Sequence, residues 1–176
     1  ILSGQPEAAA NIISTLEQFP IFLTRDLDEA KRLIREYAGE TSRYGLVASS
    51  GAVRLRSDGI ELNREFRSSV KYPDWFLRLP GDIRSSNQLE IAATEFECQG
   101  LELDWTCVCW GGDFIPTTDP SGWFPRYLYN GGKKGPHWRT ERNPTEQEFI
   151  RNKYRVLLTR ARFGTVIYVP SGDEAD

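Results

Sequence analysis

The chain has 176 residues, 39% of them hydrophobic and 27% charged, which suits one folded domain and excludes a disordered or fibrous polypeptide. A net charge of −3 excludes a globally basic nucleic-acid binder, so any contact with a polyanion needs a local patch. No run of about 18 apolar residues is present to span a membrane, and no secretory signal is seen.

The chain opens at Ile1 without Met and ends at Asp176 in an acidic run, which reads as a piece of a longer protein. Apolar residues at helical spacing (Ala9, Ile12, Ile13, Leu16) predict a helix over 6–18, and Pro20 ends it. IFLT at 21–24 reads as a short buried strand. Asp26 and Glu29 then form a capping box for a helix that runs through Ala30, Leu33, Ile34 and Tyr37 to Gly39. YGLVAS at 44–49 is a second strand.

Residues 50–87 mix Arg54, Arg56, Arg64, Arg67, Lys71, Arg78 and Arg84 with Phe66, Tyr72, Trp75 and Phe76. A short helix near 51–56 and then irregular chain are expected. The stretch fits a nucleic-acid path of phosphate-binding arginines and base-stacking rings. It fits equally a solvated basic face over core aromatics.

LEIAAT at 89–94 is a strand, 96–100 a helical turn, and LDWTCVCW at 103–110 an apolar strand. Residues 111–142 read as an insertion, with a β-hairpin around 123–138 turning at Asn130-Gly131. It is either a family-specific contact or packed on itself. Gly131-Gly132-Lys133-Lys134 reads as a hairpin tip rather than a phosphate loop, since no G-x4-G-K-[ST] occurs. Asp113 reads as a loop cap.

Asn143 and Pro144 start the last helix, with Glu146, Gln147 and Glu148 in its first turn. Phe149, Tyr154, Leu157 and Leu158 form its core face. Gly164 stops it, before a final strand at 165–170. Alternating strands and helices predict an α/β architecture with a mostly parallel sheet.

The three cysteines, Cys98, Cys107 and Cys109, make no disulfide framework and read as buried thiols of a cytoplasmic protein. A lone His137 with a C-x-C lacks a four-ligand zinc set.

Two stretches carry chemistry. In TEFECQGLE (94–102), Gly100 permits a tight turn and Glu102 can accept hydrogen bonds from ribose hydroxyls. The plainer reading is a strand–turn–strand with a solvated Glu. In NKYRVLLTRAR (152–162), Arg155, Thr159, Arg160 and Arg162 are expected on one helix, where an arginine could reach a phosphate held elsewhere. The plainer reading is a basic helix end complementing the macrodipole.

Together, and in this order, the stretches resemble motifs V and VI of superfamily 1 helicases. RDLDEAKRLI, GLVASSGA, EFECQGLELDW and YRVLLTRARFGTVIYVP resemble the Schlafen group 3-like helicase family over about residues 5 to 172. The resemblance implies a RecA-like three-layer fold and the second, C-terminal lobe of an ATP-dependent DNA or RNA helicase or translocase. It implies Arg160 as the arginine finger, Glu102 as the ribose contact and Gly100 as the motif turn. Arg155 becomes a second phosphate or inter-domain contact. Thr94 would face the nucleic-acid backbone, with Phe96 and Gln99 beside it, although many relatives carry His and Lys at those two positions. ATP and Mg²⁺ would be held with an N-terminal RecA-like domain, and single-stranded DNA or RNA would be the track. The alternative is a non-catalytic nucleic-acid-binding or regulatory module on the same fold.

Overall fold

A computed structural model describes residues 1–2, 4–16, 18–117, 122–131 and 135–172. Helix α1 is Pro6–Ser14, followed by strand β1, Ile21–Thr24. Next come α2, Leu27–Ala38, and β2, Tyr44–Ala48. Asp26 caps α2 by accepting from the amides of Asp28 (2.8 Å) and Glu29 (3.1 Å). The capping box is one-sided, because Glu29 turns outward to Arg32 and the Asp26 amide donates to Thr24 Oγ1 instead. Gly39 ends α2 at φ +71°, a conformation that only glycine adopts without strain.

A 3-10 turn at Val53–Asp58, α3 (Arg64–Ser69) and α4 (Tyr72–Leu77) follow, so the stretch expected to be irregular holds two short helices. Their sequences lack a long periodic apolar stripe. α4 is fixed by tertiary contacts, since Trp75 and Phe76 are buried and Trp75 Nε1 donates to the Ile91 carbonyl at 3.1 Å. Those two rings are core, not a stacking platform.

Strand β3 is Ala92–Thr94 and β4 is Leu103–Cys109. Within the 111–142 insertion lie β5 (Phe114–Pro116), β6 (Trp123–Tyr129) and β7 (His137–Thr140), an antiparallel three-stranded sheet with β6 in the middle. β6 and β7 are the expected hairpin, and β5 is the strand that the sequence reading missed. Residues 132–134 of the expected tip lie outside the described residues. Helix α5, Pro144–Leu158, and strand β8, Ala161–Tyr168, complete the chain.

The main sheet is entirely parallel, in the order β1-β8-β4-β2-β3. Strand alternation sends Leu46, Cys107, Cys109 and Val166 to the face covered by α2, with its buried Ala30, Ile34 and Ala38. Val47, Val108 and Ile167 go to the face covered by α4 and α5, where Trp75, Tyr154 and Leu157 are buried. Each fully buried Leu or Ile contributes about 1.5–3 kcal/mol, so both faces are strongly held. The result is the three-layer, RecA-like α/β architecture. β1 is an edge strand whose Leu23 is exposed, which corrects its expected burial.

The end of α5 also differs from expectation. The buried residues of α5 are Ile150, Tyr154 and Leu157, while Phe149 is exposed. The helix stops at Leu158 without a glycine. Thr159 Oγ1 donates to the carbonyls of Arg155 and Val156, both at 3.0 Å, and the strand begins two residues later. Gly164 lies inside β8, where a Cβ would stand 2.5 Å from the Trp105 ring. Glycine is there for a close cross-strand approach, not as a helix stop. Among the described residues no helix is long and apolar enough to cross a membrane.

Candidate functional site

At the amino ends of β4 and β8 lies the corner that the two motifs share. The chain leaves β3 and folds back in a tight turn, with the Cys98 amide donating to Thr94 O at 3.0 Å and the Leu101 amide to Cys98 O at 3.2 Å. Gly100 takes φ +81° there, a left-handed conformation costly to any β-branched residue. Cys98 anchors the turn in the core, where burial pushes its thiol up to about 12 and keeps it neutral.

Arg160 lies in the turn between α5 and β8, half-buried, rather than on the helix. Its Nε donates to Val156 O (3.0 Å), Nη1 to Cys98 O (3.4 Å) and Leu101 O (3.3 Å), and Nη2 to Thr159 Oγ1 (3.2 Å). Its own carbonyl accepts from the Leu103 amide at 2.9 Å. The guanidinium is therefore clamped onto the turn that carries Gly100 and Leu101, from the α5–β8 turn about 60 residues further along the chain.

The register of β4 against β8 shifts between Leu103 and Trp105, so Arg162 and Phe163 stand opposite the single residue Asp104. Such a bulge re-aims side chains. Here Arg162 Nε reaches Glu102 Oε2 at 3.0 Å, both side chains being more than half exposed. Glu102, Arg162, Arg43, Asp104 and Thr41 line a cavity of ≈ 280 Å³. Asp104 accepts from the Arg43 amide at 2.8 Å. This open, polar hollow can offer carboxylates to hydroxyls and guanidinium groups to an oxyanion.

The carboxyl ends of the strands are built differently. Asp113 follows β4 and is fully buried, accepting from Ser49 Oγ and Tyr154 Oη, each at 2.6 Å. Burial pushes its carboxyl up, and the two hydroxyl donors pull it part of the way back. Tyr154 Oη in turn accepts from the Gly111 amide at 3.0 Å, so α5, β2 and β4 are tied at one point. Beside it, Glu95 accepts from the Ser50 amide (2.8 Å) and from Ser50 Oγ (2.5 Å), with Lys153 Nζ at 3.6 Å. A cavity of ≈ 300 Å³ between α5 and the small sheet is lined by Asp113, Lys153, Arg126 and Glu141 among others.

Thr94 ends β3 at this same rim. It is fully buried, and its Oγ1 donates to Glu97 Oε2 at 2.5 Å and accepts from Arg67 Nη1 at 3.1 Å. Phe96 and Gln99 project from the following turn and are exposed.

Of the residues singled out in the sequence, Gly100, Glu102 and Arg160 thus meet at one corner. Thr94, Phe96 and Gln99 share the turn that leads to it. Arg155 is apart, exposed on α5 and held by its own helix neighbours Asn152 and, at 3.8 Å, Glu148. Sequence reasoning missed Arg43, Asp104, and Arg162 as the partner of Glu102, none of which has a local signal. It also missed the Ser49–Asp113–Tyr154 and Ser50–Glu95–Lys153 clusters. A Ser-Ser-Gly directly after an apolar strand was the available hint, because ligands and polar networks gather at the carboxyl ends of parallel strands.

The sheet order, the layered helices and the joined motif corner define a RecA-like α/β domain of the helicase type. The family model described as Schlafen group 3, DNA/RNA helicase domain matches residues 1–171, and the chain belongs to that family. No curated protein and no solved structure matches it.

Proposed function

We propose that this domain is the second RecA-like lobe of an ATP-driven helicase or translocase that acts on single-stranded DNA or RNA. ATP would lodge between it and a first RecA-like lobe. The observation that supports this most is the clamp of Arg160 on the Cys98 and Leu101 carbonyls, beside Glu102.

The residues fit part of a nucleotide. Glu102 offers an exposed carboxylate to a ribose, and Arg160 offers a guanidinium to phosphoryl oxygens. No glycine-rich phosphate cradle occurs in the sequence, and the described residues hold no group of three or more acidic, His or Cys side chains suited to a metal. Phosphate binding and Mg²⁺ therefore fall to the other lobe in this reading. ATP would supply the transferable phosphoryl group; Arg160 would neutralise charge that develops on it.

Where Nη1 is the nitrogen that turns to the phosphoryl oxygens, it would leave its carbonyl acceptors on Cys98 and Leu101. Nucleotide contact and the 95–101 turn are then linked, because the group released from Cys98 O and Leu101 O is the group that meets phosphate. The turn carries Phe96 and Gln99, the residues proposed to meet the nucleic-acid strand, so the two ligands would communicate through one side chain.

The test is steady-state ATPase of a protein that carries both lobes. Arg160→Ala is expected to lower turnover by about 10³-fold, as for other arginine fingers, with the fold intact by circular dichroism. Turnover near wild type would remove Arg160 from the chemistry. It would favour instead a non-catalytic nucleic-acid-binding or regulatory module on the same fold.

A further inference from the structure

Large aliphatic side chains stand bare between residues 77 and 83. Leu77, at the end of α4, is 66% exposed, and Leu79 and Ile83 in the loop after it are 74% and 87% exposed. A single surface aliphatic is ordinary and needs no explanation. These share one short loop, and that loop is braced.

The brace is polar. Arg78 Nε donates to Asp74 Oδ1 at 3.0 Å and lies 3.8 Å from Asp82 Oδ2. Arg84 holds Asp82 with two parallel bonds, Nε to Oδ1 at 2.9 Å and Nη2 to Oδ2 at 2.7 Å, and its Nη1 reaches Asp74 at 3.3 Å. Gln88 Nε2 donates to the carbonyls of Pro80 (2.8 Å) and Asp82 (3.1 Å), and the Asp82 amide closes a turn on Leu79 O at 2.9 Å. An exposed ion pair does little by itself, but a network with bidentate geometry fixes a backbone. A loop already held in one shape loses little conformational entropy when its side chains are covered. Its charges, Asp74 and Asp82 against Arg78 and Arg84, cancel, so it offers no net attraction to a polyanion.

The place of the loop in the fold points to what covers it. α4 runs back along β3, since Tyr72 Oη donates to Ala92 O at 3.2 Å and Trp75 Nε1 to Ile91 O at 3.1 Å, and so delivers the loop to the amino ends of the strands. The 3-10 turn Ser86–Gln88 is tied to the same end, with Asn87 Nδ2 donating to Ser42 O at 2.9 Å. Ser42 stands between Thr41 and Arg43, which line the hollow shared with Glu102 and Arg162. The bare aliphatics and the candidate nucleotide corner thus lie on one rim.

Size decides between partners. Leu77, Leu79 and Ile83 offer at most a few hundred Å², against about 800 Å² on each side of an ordinary interface between separate proteins. Such a knob is too small to hold a second copy or a free partner. It suits a body already kept at that rim by other contacts, where tethering makes the local concentration high. A first lobe, joined through the nucleotide and the covalent chain, is such a body.

We infer that Leu77, Leu79 and Ile83 form an apolar docking knob for the first RecA-like lobe, seated when nucleotide closes the cleft. This inference rests on the two-lobe reading above. The matching surface is an apolar groove free of charged groups, because burying an unpaired charge against the knob would be costly.

The experiment is hydroxyl-radical footprinting of a two-lobe protein, with and without a non-hydrolysable ATP analogue, read by mass spectrometry. Leu23, similarly exposed on the opposite edge of the sheet, is the internal control. The analogue is expected to lower labelling of Leu79 and Ile83 about threefold or more, and to leave Leu23 unchanged, because side chains at the centre of an interface lose their solvent contact. Leu79→Ser combined with Ile83→Ser should lower kcat/KM for ATP about tenfold, while the urea midpoint of the domain stays put because both side chains are already in water.

Unchanged labelling with a wild-type rate in the double variant overturns the inference; if Arg160→Ala still abolishes turnover in that protein, the two-lobe reading stands without it. Turnover that survives Arg160→Ala, with no protection of the knob, sinks both. Protection that is independent of nucleotide, appears in this chain alone and deepens with its concentration marks a second copy as the occupant and also overturns the inference. Should the double variant not fold, the wild-type footprint still decides.

Discussion

The two ends of the parallel sheet make opposite use of polar residues. At the amino ends, Glu102, Arg162, Arg43 and Asp104 surround an open hollow, and the Glu102–Arg162 pair is more than half exposed. At the carboxyl ends, Asp113, Ser49 and Tyr154 are buried and mutually bonded. An exposed ion pair is worth about 0–1 kcal/mol, whereas an unmet buried donor or acceptor costs about 1–3 kcal/mol. The open corner is therefore free to exchange partners, and the sealed rim is a fixed post. Arg160 belongs between the two, half-buried and bonded to the backbone carbonyls of Cys98 and Leu101.

Three variants probe this contrast, in decreasing size of effect. Tyr154→Phe removes a donor from a buried carboxylate and an acceptor from the Gly111 amide. It should cost about 2–3 kcal/mol in urea unfolding. An unchanged midpoint would mean that the rim is not a post.

The second concerns pH. Burial raises the Asp113 carboxyl above its ordinary 3.8, so the folded state holds that proton more tightly than the unfolded state. The contribution of Asp113 is then fully present below the unfolded value and is lost as pH rises through the folded value. Wild-type stability measured relative to Asp113→Asn should fall with rising pH across that window. A difference that is flat, or that rises, would overturn the assignment.

The smallest effect is expected at the open corner. Glu102→Ala should change stability by less than about 0.5 kcal/mol, since the salt bridge it breaks is solvated. If the proposed function holds, the same change weakens nucleotide binding in a two-lobe protein. A loss of stability as large as that of Tyr154→Phe would erase the distinction between the two ends.

Legibility in the sequence followed the range of the interaction. Asn143 and Pro144 do start α5, with Asn143 Oδ1 accepting from the Thr145 amide at 2.9 Å, because capping is decided within three residues. Gly39, the apolar strands and the hairpin were readable for the same reason. Gly164 was misread because its role depends on the Trp105 ring across the sheet. Phe149 was misplaced and Ile150 overlooked because one step along a helix turns a side chain by 100°, and only the packed neighbours tell which face is inside. The short helices at 64–69 and 72–77 carry too few periodic positions to announce themselves.

By itself, the sequence determined the strand–helix alternation, the two motifs and their order, and hence the kinship with a helicase family. Only the tertiary structure decided that Arg160 leaves its helix to bond the 98–101 turn, that Thr94 is sealed, and that Arg67 stands over it. Periodicity, capping and turn chemistry act between near neighbours and are written into the chain locally. A guanidinium that closes on a carbonyl 62 residues away is set by how sheet and helices pack.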